Sequence, residues 1–210
     1  MARFQIRELG EETWPDFAQI VEKHDGVWGG CWCTAFQLKR IEEKQWSGKH
    51  RELKEQLVRE DRSHAALVYD GADVVGWCQF GPPLELPGRM SGYNKLGQAP
   101  PDWRITCFFV DRDHRKEGVA NAGLTGVLRI IAAKGGGTVD GYPIYTRGKP
   151  YSSSFLWGGT EPMFAQLGFH KLGALGAKQV GNAKNRSGSR MSSQDQRSST
   201  QSNESGTSEV

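Results

Sequence analysis

No apolar run in the 210-residue sequence approaches the ~18 residues that a bilayer crossing needs, so no membrane partner is expected. The opening stretch MARFQIRELG carries charges where a secretory signal needs an unbroken apolar core, which makes the cytoplasm the expected compartment. Cysteine is scarce as well. Cys31, Cys33, Cys78 and Cys107 are too few and too scattered for a disulfide scaffold in a chain of this length. Cys31 and Cys33 have the form of half a zinc site, but no other cysteine or histidine stands beside a second ligand at metal spacing. No metal is expected, and the cysteines read as small buried hydrophobes.

An excess of one charge is lacking too: 27 Lys and Arg stand against 24 Asp and Glu, a formal net charge of +3. A dedicated nucleic-acid domain needs a concentrated basic face to displace counterions from phosphates, and none is visible. Hydrophobic residues make up 37% of the chain, low for a compact domain, and the deficit is local. From Gly181 to Val210 only Ala183, Met191 and Val210 are clearly apolar. Such a stretch cannot bury enough surface to offset its ordering entropy. The expected organisation is one domain over residues 1–177 and a flexible Ser/Gln-rich tail over 178–210. The tail holds five basic and three acidic residues, which leaves the body nearly neutral.

Within the body, Arg3 to Leu9 alternates Phe4 and Ile6 with polar neighbours, the period of a strand. Thr13 is placed to cap a following helix with Pro15 in its first turn and Trp14, Phe17, Ile20 and Val21 on one face. Val27 to Gln37 is aromatic and Gly-rich without a period, which reads as a packed loop. Lys49 to Asp61 reads as a charged helix with Leu53 and Leu57 one turn apart. The runs AALVY and DVVGWCQF meet at Asp70-Gly71, a dipeptide suited to a type I′ hairpin turn. Gly81 to Asp102 holds five prolines and forms a long irregular excursion.

Arg104 to Val110, RITCFFV, is a compact apolar strand of the kind buried on both faces. Val119, Ala122, Gly123, Val127, Ile130 and Ile131 then mark a helix from about Gly118 to Lys134, stopped by Gly135 to Gly137. Thr138 to Pro143 reads as the next strand, so strand, loop, helix and strand form a parallel crossover. A last helix over Thr160 to Leu167, ended by Gly168, precedes a final strand in FHKLGAL.

The loop DRDHRKEGVA, Asp111 to Ala120, joins the buried strand to its helix. Its core, Arg115 to Ala120, is an R-x-x-G-x-A at a helix start, where amides lack internal partners. Small residues at 118 and 120 admit a ligand to the main chain, and the helix dipole favours an anion such as a pyrophosphate. Neither G-x-G-x-x-G nor G-x-x-x-x-G-K-[ST] occurs, which argues against a dinucleotide or P-loop site.

The run CFFVDRDHRKEGVANAGLTGVL resembles motif A of the GNAT superfamily of acyl-CoA-dependent N-acetyltransferases, in which V-x-P-x-x-R-x-x-G-x-G/A joins the fourth strand to the third helix. FLWGGTEPMFAQLGFHKLG resembles that family's closing segment, and the element order agrees. The resemblance implies an α/β fold, a mixed central sheet with flanking helices, and acetyl-CoA as cosubstrate. It implies that the Phe109 and Val110 main chain pairs with the pantetheine arm. The amides of Arg115, Lys116, Glu117, Gly118, Val119 and Ala120 would hold the pyrophosphate. Thr160 and Phe164 would flank the thiol end, and the acceptor would enter where the strands of Val110 and Asp140 part. Arg112 stands where the family often has proline. Phe164 stands where many members place a tyrosine that protonates the departing thiolate; solvent, Tyr142 or Tyr145 would then serve instead.

On that resemblance the reaction is direct attack by a neutral amine, a small molecule or a peptide, on the acetyl thioester. The Val110 amide is the natural donor to the developing oxyanion. Asp140, an acid in an otherwise uncharged strand, is the expected base, against the alternative that it simply faces solvent. His114 reads as a surface or phosphate contact; His24, His50 and His64 have no nucleophile-like partner and are assigned no role. No G-x-S-x-G occurs, and the cysteines lack the context of a catalytic thiol. Trp28, Trp32, Trp77, Tyr142 and Trp157 are candidates for the acceptor pocket, against the ordinary alternative of core packing. Two other readings stand beside this one: a catalytically silent acyl-CoA-binding sensor, which Phe164 and the missing obvious base keep open, and a nucleic-acid contact through the tail. A homodimer is compatible with the sequence and not specified by it.

Overall fold

A computed structural model describes residues 3–89, 99–144, 151–152, 156–174 and 180–186. Strand β1 (Gln5–Glu8) leads through one 3-10 turn into helix α1 (Trp14–Lys23), and an irregular segment connects it to α2 (His50–Arg59). The hairpin β2 (His64–Asp70) and β3 (Asp73–Gly81) follows, then β4 (Trp103–Val110), α3 (Val119–Ala133) and β5 (Gly137–Gly141). Helix α4 (Glu161–Gln166), β6 (His170–Ala174) and β7 (Val180–Arg186) complete the order. The strands form one sheet in the order β1-β2-β3-β4-β5-β7-β6. Among these seven strands β4 and β5 are the parallel pair, and α3 is the crossover between them.

The expected mixed sheet with flanking helices is therefore the fold, and several local expectations need correction. Thr13 does not cap α1: its hydroxyl turns back, accepting from the Gly10 amide at 2.9 Å and donating to the Glu8 carbonyl at 2.8 Å, so it closes the preceding turn. The hairpin turn is centred on Gly71 and Ala72, since Asp70 pairs with Asp73. Gly71 alone has positive φ, which excludes type I′, a turn that needs it at both central residues. The sheet continues past residue 178. Val180–Arg186 is a strand between β5 and β6, paired on both sides. Its low apolar content hides it from hydropathy, because a strand with two neighbours is held by main-chain hydrogen bonds that any residue except proline can make. The remainder of the expected tail, 187–210, lies outside the described residues.

Each face of the sheet buries its own core. On one face α3 lies across β1 to β4, and Leu124, Val127, Leu128 and Ile131 pack with Phe80, Ile105, Phe108 and Phe164. On the other face Phe17, Ile20 and Val21 of α1 pack with Trp77, Leu67 and Cys107, joined by Val27, Trp32 and Cys33 from the irregular segment. The phase of β4 is set by a bulge. Gln79 opposes Cys107 while Phe80 opposes Ile105, which leaves Thr106 as the extra residue. Ile105 and Phe108 consequently face α3, whereas Cys107 faces α1.

Phe164 fixes the far end of the α3 face. It is fully buried, edge-on to Phe108 and Phe169 at 6.0 and 4.9 Å between ring centres. Its ring occupies the space where a Cβ at Gly141 would project. Gly141→Ala is expected to lower stability by about 2 kcal/mol or more through overpacking. The check is the urea midpoint at unchanged slope, and Phe164→Leu in the same chain should recover part of the loss.

Candidate active site

Beyond Ile105, β4 runs on without β5, because their register ends at Ile105 opposite Gly141. Antiparallel pairing divides the exposed main chain by residue parity. The Asp111 amide donates to the Val75 carbonyl at 2.9 Å, and the Phe109 carbonyl faces Gly76 so closely that a Cβ there would come within 2.6 Å of it. Odd residues thus turn their peptide groups to β3. Phe108 turns the other way, donating to the Trp157 carbonyl at 2.7 Å, and Val110, two residues on, faces the same open edge. The Phe109 peptide is thus engaged by β3, and among the described residues nothing pairs with the Val110 N–H, which faces the open edge.

At the end of this edge the chain turns through a 3-10 turn (Arg112–His114) into α3. The sign of φ alternates from Lys116 at +66° through Glu117 to Gly118 at +91°, the kind of pattern that forms anion-binding nests. The Ala122 amide makes the first helical bond, to the Gly118 carbonyl, so the amides of Val119, Ala120 and Asn121 have no acceptor within the helix. The Glu117 carboxylate is drawn off to Arg3 at 2.6 Å, which neutralises the negative charge beside these donors.

A cleft of about 870 Å³ lies along this edge and loop. One wall is Phe109, Val110, Arg115, Lys116, Gly118, Val119 and Ala120; Asn121 extends it. The opposite wall comes from Leu156, Gly159, Thr160, Pro162, Met163 and Gln166 before and on α4. His24, Val27 and Trp28 close the end of α1, with Trp28 edge-on to Phe109 at 6.0 Å and Phe109 stacked on Trp77 at 4.4 Å.

The structure thus brings eight of the expected catalytic and cofactor-binding residues to one cleft: Phe109, Val110, Arg115, Lys116, Gly118, Val119, Ala120 and Thr160. Glu117 belongs to the loop, but its side chain is held by Arg3. Phe164 does not flank the cleft, because it is sealed in the α3 core. Asp140 and Tyr142 are buried and absent from the lining; Asp140 is the register partner of Arg104, one residue before β4 and β5 part. Of the candidate aromatics, Trp28 lines the cleft, Trp32 and Trp77 are core residues, and Trp157 contributes its carbonyl to β4. Tyr145 lies outside the described residues. Among the described residues no group of His, Cys, Asp and Glu could hold a metal.

One cluster escaped the sequence reading. Asp111, buried at the end of β4, meets Lys23 at 2.6 Å and lies 3.4 Å from His24 Nε2, while its other oxygen accepts from the Asp113 amide at 3.2 Å. Burial opposes its ionisation, but the Lys23 ammonium, the Asp113 amide and His24 outweigh it and bring the carboxyl down to about 2. These contacts tie the end of α1 to the start of the loop. Their partners lie 88 residues apart, and no local pattern announces such a pair.

The sequence matches the model of the acetyltransferase (GNAT) family over residues 17–139, more than half of the chain. No curated protein matches by sequence. Among solved structures the chain is similar to the histone acetyltransferase HPA2 and related acetyltransferase from Corynebacterium glutamicum ATCC 13032, with a TM-score of 0.53 at 13% identity, over 89% of this chain and 98% of that one. It is also similar to an N-acetyltransferase from Staphylococcus aureus Mu50, with a TM-score of 0.49 at 13% identity, over 88% and 99% of the two chains. At 13% identity the likeness to the Corynebacterium structure is one of fold.

Because the Asp111 carboxyl is depressed in the folded chain, its contribution is complete above about pH 4 and is lost as pH falls through about 2. Asp111→Asn is expected to cost about 2 kcal/mol at pH 7. The difference in denaturation midpoint between the two proteins should shrink steadily from pH 4 towards pH 2; a constant gap would show that the loss is one of packing.

Proposed function

Because the chain belongs to the acetyltransferase (GNAT) family, we propose that it transfers an acetyl group from acetyl-CoA to a primary amine of a small molecule or peptide by direct attack. The observation that carries this reading is the coincidence of two unsatisfied main-chain features in one cleft. They are the open Val110 edge of β4 and the acceptor-free amides at the start of α3. Acetyl-CoA supplies the activated acyl group. The residues present fit its two ends: the Lys116 to Asn121 amides with Arg115 suit a pyrophosphate, and the apolar walls of Val110, Val119, Leu156 and Met163 suit a pantetheine arm.

The Val110 N–H donates to the oxygen that gains charge as the amine attacks, a role it can fill because no strand among the described residues competes for it. Asp140, buried behind the cleft lining where β4 and β5 part and on the sheet face opposite Val139, is the group assigned to take the proton from the amine. Phe164 has no proton to give, so the departing thiolate is protonated by solvent or by Tyr142, two residues beyond Asp140. The silent-sensor alternative predicts CoA binding without thiol release from acetyl-CoA on any amine of a broad panel, and the transferase reading predicts release with at least one.

Two variants test the assignments separately. Gly118→Glu should weaken CoA binding at least tenfold by calorimetry, since it adds a carboxylate beside the anion site. Gly118→Ala shares the backbone cost of leaving glycine at φ +91°, of about 1 kcal/mol, without the charge, and should retain most of the affinity. Equal losses in the two variants would remove the anion site from this loop. Asp140→Asn should lower kcat by about a hundredfold or more. A variant with unchanged kcat at every pH would dismiss Asp140 as the base.

A further inference from the structure

The most unusual cluster outside the cleft lies on the α1 face of β4. Cys33 Sγ and Cys107 Sγ are 3.2 Å apart, both buried, and separated by 74 residues of chain. The Trp77 indole N–H donates to Cys33 Sγ at 3.2 Å, and Lys54, fully buried, sits in the same pocket with its ammonium bonded to Gln37 Oε1 at 3.1 Å. Two features place the sulfurs together. The bulge at Thr106 turns Cys107 from the α3 face to the α1 face, and Cys33 is held in a left-handed conformation at φ +54°, where a non-glycine residue costs about 1 kcal/mol.

We propose that Cys33 and Cys107 form a peroxide-oxidisable dithiol, a modification site whose disulfide fastens the segment around Cys33 to β4 at its bulge. The inference does not depend on the acetyl-transfer reading. Burial by itself would raise the Cys33 thiol, but the Cys107 hydrogen bond, the Lys54 charge and the Trp77 N–H bring it below its ordinary value. Cys107 is pushed well up, first by its hydrogen bond to Cys33 and then by burial. Lys54 is lowered to about 8 by burial, with the cysteines opposing. With the Trp77 N–H directed at its sulfur, Cys33 is the attacking sulfur and Cys107 the resolving one.

Cys33 sulfur attacks one oxygen of hydrogen peroxide; the S–O bond forms, the O–O bond breaks, and the hydroxide leaves as water after taking a proton. Cys107 sulfur then attacks the Cys33 sulfenic acid. The S–S bond forms, the S–O bond breaks, and the second water carries away the Cys107 proton. Two thiols are oxidised and one peroxide is reduced to two waters. Closing the bond shortens the sulfur separation from 3.2 Å to about 2.05 Å, a movement of about an ångström. Hydrogen peroxide, scarcely larger than water, is the class of oxidant able to reach so enclosed a pair.

The test uses the reduced full chain and hydrogen peroxide. Thiols counted after denaturation should fall from four to two, dithiothreitol should restore them, and digestion of the alkylated protein should yield one linked peptide pair containing Cys33 and Cys107. Cys31→Ser should still lose two thiols. In Cys107→Ser the sulfenic acid at Cys33 has no partner, so dimedone should label it. A linkage of Cys31 to Cys33, dimedone labelling confined to Cys31 in the Cys107→Ser variant, or retention of all four thiols under conditions that oxidise the unfolded chain would each overturn the proposal.

Discussion

β4 is asked to do two incompatible things, and the bulge at Thr106 lets it do both. Its first half must pair with β5 to close the sheet, and its second half must leave a main-chain edge open. A regular strand would carry one side-chain phase throughout. With one residue inserted, Phe108 can still plug the α3 core, and Phe109 can stack on Trp77 across the other face. The same insertion leaves Val110 N–H pointing to the cleft while Asp111 N–H stays engaged with Val75. A bulge of this kind also aims Thr106 at Gln79, whose amide reaches the Cys33 carbonyl, so the displaced residue is itself hydrogen-bonded.

The charges around the cleft follow from the need to keep an anion site free of competing anions. Asp111, Asp113 and Glu117 lie in the loop itself, and Asp70 shares Arg3 with Glu117. The two carboxylates best placed to interfere are each engaged elsewhere, Glu117 by Arg3 and Asp111 by Lys23. Exposed pairs such as Arg3 with Glu117 contribute little to stability. Their effect here is local: they decide which way a carboxylate points, and so leave Arg115 and Lys116 as the charges that border the loop amides.

Much of this architecture was legible in the residues themselves. The 3.6-residue stripe of α1 marked the first helix, the stripe of α3 and the apolar run of β4 marked the crossover, and the R-x-x-G-x-A spacing located the helix start that borders the cleft. What stayed hidden depends on phase and on distant partners. The bulges at Thr106 and between Val68 and Tyr69 leave no mark in the alternation of strands as apolar as β2, β3 and β4. β7 was invisible because its pairing is a main-chain property, and Gly181, Asn182 and Lys184 say nothing of it. Phe164 illustrates a different limit. Its type was readable, but only its contact with Gly141 shows that the ring is a core wedge and not a wall of the cleft.

The segment between α1 and α2 shows how structure can be fixed without a helix or strand. Asp25, Val27, Trp28, Trp32 and Cys33 all adopt positive φ, which is costly for non-glycine residues and most of all for a β-branched valine. At about 1 kcal/mol each, the conformation must be over-determined by its surroundings. Val27, Trp32 and Cys33 are buried in the α1 core, the Cys33 carbonyl is held by Gln79, and Gln37 both accepts from Lys54 and donates to the Arg62 carbonyl. Thr34, fully buried, bonds to the Cys31 carbonyl and to His50. The polar groups on this face are therefore the framework that positions Trp28 at the mouth of the cleft and Cys33 against β4. On the α3 face, apolar packing alone suffices because a regular helix already satisfies its own main chain.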